Sequence, residues 1–195
     1  MIHQGDVLNN PVTRETMIFR HTSAETDGEA VVVETVVEPD GFVAAAHVHP
    51  QQSERFEVLE GELRLTVEHD EVIAHPGDTI TVRPGARHRF RNAGDRPVRF
   101  VMEIRPALGF ESLIETMFTL AAEGKTNRKG LPNPLRLAVI AKAHFDTVRL
   151  TGVPVFVQKA GLVAGALLGR LCGYKSTPRS RTGRRSPRRE RPRGR

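Results

Sequence analysis

The sequence predicts a mainly β protein, a barrel or sandwich of short strands followed by a helical extension, and three observations carry that prediction. Between about residues 15 and 104, short runs rich in Val, Ile, Phe and Thr alternate with Gly, Pro, Asn and Asp turn signals. Past Pro106 the spacing of apolar residues changes from two to about 3.6. The last twenty residues, STPRSRTGRRSPRRERPRGR, then hold no apolar residue that could enter a core.

In chain order, the strand-like runs are TMIFR at 16–20, EAVVVETVV at 29–37, FVAAAHVH at 42–49, ERFEVLE at 54–60, ELRLTVE at 62–68, TITV at 79–82 and VRFVMEI at 98–104, with a further strand opening at His88. Gly28, Asp40-Gly41, Gly61, Pro76-Gly77, Pro84-Gly85 and Gly94-Asp95 separate them. Phe110, Leu113, Ile114, Met117, Phe118 and Ala121 then recur on one helical face, and Gly124 supplies a stop. Asn133-Pro134, a capping residue followed by proline, predicts a second helix running to about Leu150. A third follows Pro154 and reaches Gly173. Its uninterrupted apolar stretch, Ala160 to Gly169, is about half of the roughly 20 residues that a membrane span needs. It therefore reads as a helix packed on the barrel or on a partner subunit, with contact along a membrane surface as the alternative. The organisation expected is a barrel domain over residues 1–106, a helical extension over 107–174 and a disordered Arg/Pro-rich tail over 175–195.

The net charge of +6 is a property of that tail. Residues 176–195 contain nine Arg and one Glu; removing them from totals of 29 basic and 23 acidic residues leaves 20 and 22, so the rest of the chain is at −2. A basic segment of this kind can contact nucleic acid or anionic surfaces through counterion release, but without interleaved aromatics it has no means of stacking bases. The amino terminus, MIHQGDVLNNPVTRETMIFR, lacks the basic start and apolar run of a secretory signal, which predicts a cytoplasmic location. Cys172 is the only cysteine, which excludes an intramolecular disulfide and any zinc site built on paired thiolates. The chain offers no Ser-His-Asp or Cys-His arrangement and no phosphate-cradling glycine loop.

Chemistry gathers instead in GFVAAAHVHPQQSERFEVLEG, residues 41–61. Strand alternation puts His47 and His49 on one face with Val43 and Ala45. Both faces of that run are apolar, which predicts a buried strand. A buried imidazole without a partner costs on the order of 1 to 3 kcal/mol, and a metal ion would satisfy both rings. Glu54 is in phase with Phe56 and Val58, and His88 with Phe90, so each turns toward the same interior. Three imidazoles and one carboxylate form a donor set suited to Fe, Mn, Ni, Co, Cu or Zn, with positions left open on an octahedral ion. The alternative is a hydrogen-bonded cluster around water.

These residues resemble the two motifs of the cupin superfamily. Gly41, His47, His49, Glu54 and Gly61 satisfy the first in full; Gly77, Gly85, His88 and Asn92 satisfy the second, except that Arg83 stands where proline is usual and Pro84 follows one place later. The resemblance covers roughly residues 29–105. It implies a jelly-roll, double-stranded β-helix barrel, a homodimer, and a divalent metal held by His47, His49, Glu54 and His88. By the same analogy the expected activity is that of a metal-dependent, dioxygenase-like enzyme acting on a small organic ligand. The alternative is a non-catalytic module that senses a metal or a small molecule. Phe56, Val58, Phe90, Phe100 and Met102 are expected to line the interior. Arg83, Arg87, His69 and His75 are expected to face solvent, and His144 to pack at the edge of the second helix.

Overall fold

The structure, a computed structural model, describes residues 1–151 and 154–177; most of the Arg-rich tail thus lies outside the described residues. The strands are β1 (Val7–Asn10), β2 (Glu15–His21), β3 (Val31–Val37), β4 (His47–Val48), β5 (Ser53–Glu60), β6 (Leu63–Val67), β7 (Asp70–Ala74), β8 (Thr79–Val82), β9 (His88–Asn92) and β10 (Val98–Arg105). Helices α1 (Phe110–Ala122) and α2 (Pro134–Ala143), a short strand β11 (Arg149–Leu150) and helix α3 (Val155–Leu171) complete the chain order.

Two antiparallel sheets face each other, one ordered β1-β2-β3-β10-β5-β8 and the other β11-β4-β9-β6-β7. Sequence neighbours repeatedly fall in opposite sheets, as jelly-roll connectivity requires. The core between them is built on the alternation of the strands: β10 reads buried at Val98, Phe100, Met102 and Ile104, and β3 at Val31, Val33, Thr35 and Val37. Phe56 and Phe100 of one sheet meet Phe90 of the other with ring centroids 5.4 to 6.1 Å apart, in edge-on and tilted geometries. The interior predicted from phase, Phe56, Val58, Phe90, Phe100 and Met102, is buried throughout.

Two motif glycines have steric reasons. Gly61 has a φ of +76° at the tight β5–β6 turn, and a Cβ there would lie 2.7 Å from the Pro97 carbonyl oxygen. A Cβ on Gly41 would sit 2.5 Å from a Val37 methyl. Asn92 completes the same corner: its side-chain amide donates to the carbonyls of Val37 and Arg96, and its oxygen accepts from Gly94 N–H.

Three expectations are corrected. Residues 42–49 are not one buried strand: only His47–Val48 ladder, the chain bends at Ala44-Ala45, and Phe42 to Val48 are half-buried, because this segment edges a cavity instead of crossing the core. The second helix ends at Ala143, where His144 caps it, and the chain then extends so that Arg149 and Leu150 pair with Val48 and His47. That pairing adds β11 to the barrel's second sheet and removes the predicted continuation to Leu150. The runs read from the sequence also omit a strand, since Asp70–Ala74 forms β7 against β6. Arg83, Arg87, His69 and His75 are exposed as predicted, and His144 is buried.

α1 buries Phe110, Leu113, Phe118 and Ala121 of the predicted face, and also Leu120, which that face does not include. α2 and α3 pack against each other through small residues. A Cβ on Gly169 would meet the Leu135 carbonyl oxygen at 2.6 Å, and one on Gly165 would meet the Ala138 Cβ at 2.9 Å. No described helix is long and apolar enough to cross a membrane.

Candidate metal centre

The topology brings the four sequence-predicted ligands to one place from both sheets. His47 on β4 lies directly opposite His88 on β9, while Glu54 on β5 faces them from the other sheet, paired in register with Val82 and Ile104. His49 follows β4 by one residue. One donor atom from each of the four lies within 4.8 Å of every other, a spacing that one ion can bridge. His47 Nε2 and His49 Nε2 are 3.1 Å apart; His49 Nε2 is 3.2 Å from Glu54 Oε1, and His88 Nε2 is 2.7 Å from Glu54 Oε2. His49, Glu54 and His88 are buried and His47 half-buried.

The far side of each ring is tied to a carbonyl. His47 Nδ1 donates to Ala45 O at 2.9 Å and His88 Nδ1 to Ala86 O at 3.1 Å. His49 Nδ1 is shared between Thr147 O at 2.6 Å and Gln52 Oε1 at 3.0 Å. A carbonyl can only accept, so each Nδ1 carries a proton and each Nε2 faces the cluster, where its lone pair is available to an ion that displaces any proton there. Gln52 is fixed in turn, its amide donating to the carbonyls of Pro106 and Ala107. This is the orientation that an imidazole ligand needs. His88 Nε2 makes no hydrogen bond despite its 2.7 Å approach to Glu54, a buried polar atom whose cost a cation would remove.

Electrostatics within the cluster follow burial first. Burial pushes the His47 pKa down to about 3, assisted by His49 and His88, and keeps that ring neutral. Burial alone would also push the Glu54 carboxyl up, but the charge of His49 and the hydrogen bonds it receives hold it well below the usual range. For His49, burial acts against the charged form, and Glu54 overcomes it and raises the pKa. Without an ion, one proton thus substitutes for positive charge between His49 and Glu54. Neutral imidazole beside an ionised carboxylate is a competent donor set, so the residues fit a divalent transition metal.

A cavity of about 390 Å³ opens from the cluster. Phe90 and Met102 of the barrel, Phe118 and Leu113 of α1, Ile140 of α2 and Leu162 of α3 are among the residues that line it. The helical extension therefore closes the barrel mouth, and the chain that follows α2 touches the cluster directly through Thr147 O.

Two residues that periodicity and motifs do not single out belong here. Gln52 sits in a loop without any pattern. Glu15, at the start of β2, is 4% exposed and lines the same cavity as His47, His49 and Glu54. Burial pushes its carboxyl up to about 8, with the nearby Thr13 hydroxyl drawing it partly back, so it is mostly a neutral acid at pH 7. Its phase with Met17 and Phe19 on β2 is the available signal.

Residues 27–104 match the cupin domain family. The tetracenomycin polyketide synthase protein TcmJ of Streptomyces glaucescens is 35% identical over 66 residues, which are 34% of this chain and 44% of that protein. The chain thus spans less than half the length of this curated relative. Among solved structures, a conserved Klebsiella pneumoniae protein with a double-stranded β-helix domain aligns at 22% identity and a TM-score of 0.42, covering 55% of this chain and 84% of that one. A predicted oxalate decarboxylase of Thermotoga maritima aligns at 19% identity and a TM-score of 0.47, covering 54% and 99%. With both histidine motifs in register on a double-stranded β-helix, the barrel of this chain is a member of the cupin superfamily.

Proposed function

We propose that the barrel holds one divalent transition-metal ion through His47, His49, Glu54 and His88, and that the chain is a metal-dependent, dioxygenase-like enzyme for a small, largely apolar organic molecule. The observation that carries this reading is the shared cavity: three inward-facing Nε2 atoms and a carboxylate at one end, an apolar wall, and the neutral acid Glu15. The ion would supply Lewis-acid polarisation and open coordination positions. Phe90, Met102 and the helical wall would orient the ligand and exclude water. Glu15 would hold a proton at its carboxyl, available to a ligand oxygen, because burial disfavours its release. The wall suits an oxygenated ring system better than a phosphorylated substrate, and the partial match to a polyketide synthase protein supports the same class.

The test is metal content followed by turnover. Protein purified anaerobically should hold about one equivalent of a transition metal, and His49→Ala and His88→Ala should each lose it; retention in both variants overturns the site. Oxygen uptake by Fe-, Mn- and Ni-loaded protein with a panel of small aromatic, thiol and dicarbonyl compounds then tests catalysis. Thermal stabilisation by a panel compound without any turnover would instead assign a non-catalytic sensor.

A further inference from the structure

α3 covers one side of itself with α2 and leaves the other bare. Gly165, Ala166 and Gly169 face α2, where no larger residue at 165 or 169 would fit. At 100° per residue, Phe156, Ala160, Val163, Leu167 and Leu171 fall on the opposite side in one uncharged arc. Phe156 is 75% exposed, Leu167 56% and Leu171 85%. α3 contains no acidic residue; its two cations, Lys159 and Arg170, are both exposed and lie along one margin of that arc. Five residues beyond the end of the helix begins the segment 176–195, with nine Arg and one Glu.

We propose that the bare face of α3 and the basic segment after it together dock the protein on the surface of a bilayer bearing anionic headgroups. The apolar arc enters the headgroup–acyl boundary while the cations at its margin and the arginines beyond it meet the headgroups. Stable surface attachment generally takes two such signals, because either alone is weak and reversible. Nucleic acid would use the arginines but leave the apolar face uncovered. A second copy packed isologously through the same face would bring Lys159, Arg170 and both basic segments against their own counterparts, a like-charge arrangement. Leu162 lines the cavity from the opposite side of the same helix, so α3 itself would lie between the cavity and the lipid.

Vesicle co-sedimentation of the full chain tests the proposal independently of its metal content. Wild-type protein should sediment with phosphatidylglycerol-containing vesicles and not with pure phosphatidylcholine vesicles. Phe156→Asp/Leu167→Asp and deletion of 176–195 should each weaken binding about tenfold or more. Both substituted side chains are exposed, so circular dichroism should be unchanged; Val72→Asp, at an exposed apolar position on β7, should bind as wild type. The proposal is overturned if wild type ignores anionic vesicles, or if the double variant binds them as wild type does, which would leave the arginines acting alone. It is equally overturned if the double variant converts a solution dimer to a monomer without changing vesicle binding, which would identify a second copy as the partner of α3.

Discussion

Glu15→Gln isolates the energetic cost of holding a carboxyl in the cavity wall. Folded, the group titrates at about 8; unfolded, at its ordinary 4.5. Below pH 4.5 both states carry the proton and the group is silent. As pH rises, the unfolded chain releases the proton while the folded protein keeps it, so stability falls by about 1.4 kcal/mol per pH unit until the folded group also ionises near pH 8. Across that interval the ceiling is roughly 5 kcal/mol, which for a chain of this size is on the order of 10 to 20 °C in Tm. Gln keeps the shape and has no proton to lose. Urea titrations of both proteins from pH 5 to pH 8 should therefore give a stability difference that is smallest at the acid end and grows with pH in favour of Glu15→Gln. The histidines titrate in both proteins and cancel from the difference. A difference that stays flat with pH would show that Glu15 is ionised in the folded state, and the neutral acid assigned to the cavity would have to be abandoned.

Other expected outcomes test the surroundings. Gln52→Ala should leave the barrel folded but lower metal affinity roughly 10- to 100-fold by competition titration, because His49 loses one acceptor that orients it. Metal affinity should also drop at least about tenfold between pH 8 and pH 6, since a proton competes for His49, whose pKa Glu54 raises against burial; isothermal titration at the two pH values checks this. Gly169→Ala should destabilise by about 1 to 3 kcal/mol in chemical denaturation, because its methyl has no room against Leu135 on α2. Phe100→Ala should cost about 3 to 5 kcal/mol, as its ring is fully buried between Phe56 and Phe90.

The parts of this molecule that are legible in the sequence are those in which side-chain alternation is the determinant. β10 and β3 bury every second residue along their length, β5 does so from Glu54 to Val58, and the same alternation, read from residue types alone, puts Glu54 and His88 on the interior face. The motif spacing does the same for His47 and His49. Segments whose conformation depends on distant partners are not legible. Nothing local distinguishes Arg149–Leu150 from the end of a helix; what makes it a strand is the free edge of β4, about a hundred residues earlier. The bend at Ala44-Ala45 lies against the loop that holds Gly130, where an added Cβ would meet the Ala44 Cβ at 3.2 Å and the Thr13 methyl at 3.0 Å. Glu15 escapes notice for a different reason. Its phase is readable, but an acidic residue at a strand end is ordinarily solvated, and only the closure of α1 and the 126–132 loop over the barrel mouth makes it a buried one.

The bond from His49 to the Thr147 carbonyl gives the site a place in time. Its two ends are 98 residues apart in sequence, and β10 emerges from the ribosome more than forty residues before Thr147 does. At roughly 5 to 20 residues per second, the barrel has seconds in which to form with His49 held on one side by Gln52 alone. The ring reaches its final setting when the extension closes and β11 joins β4. The final setting of the second imidazole is therefore a late event in biogenesis, and a chain interrupted anywhere between residues 106 and 147 would leave His49 with Gln52 as its partner and without the Thr147 carbonyl.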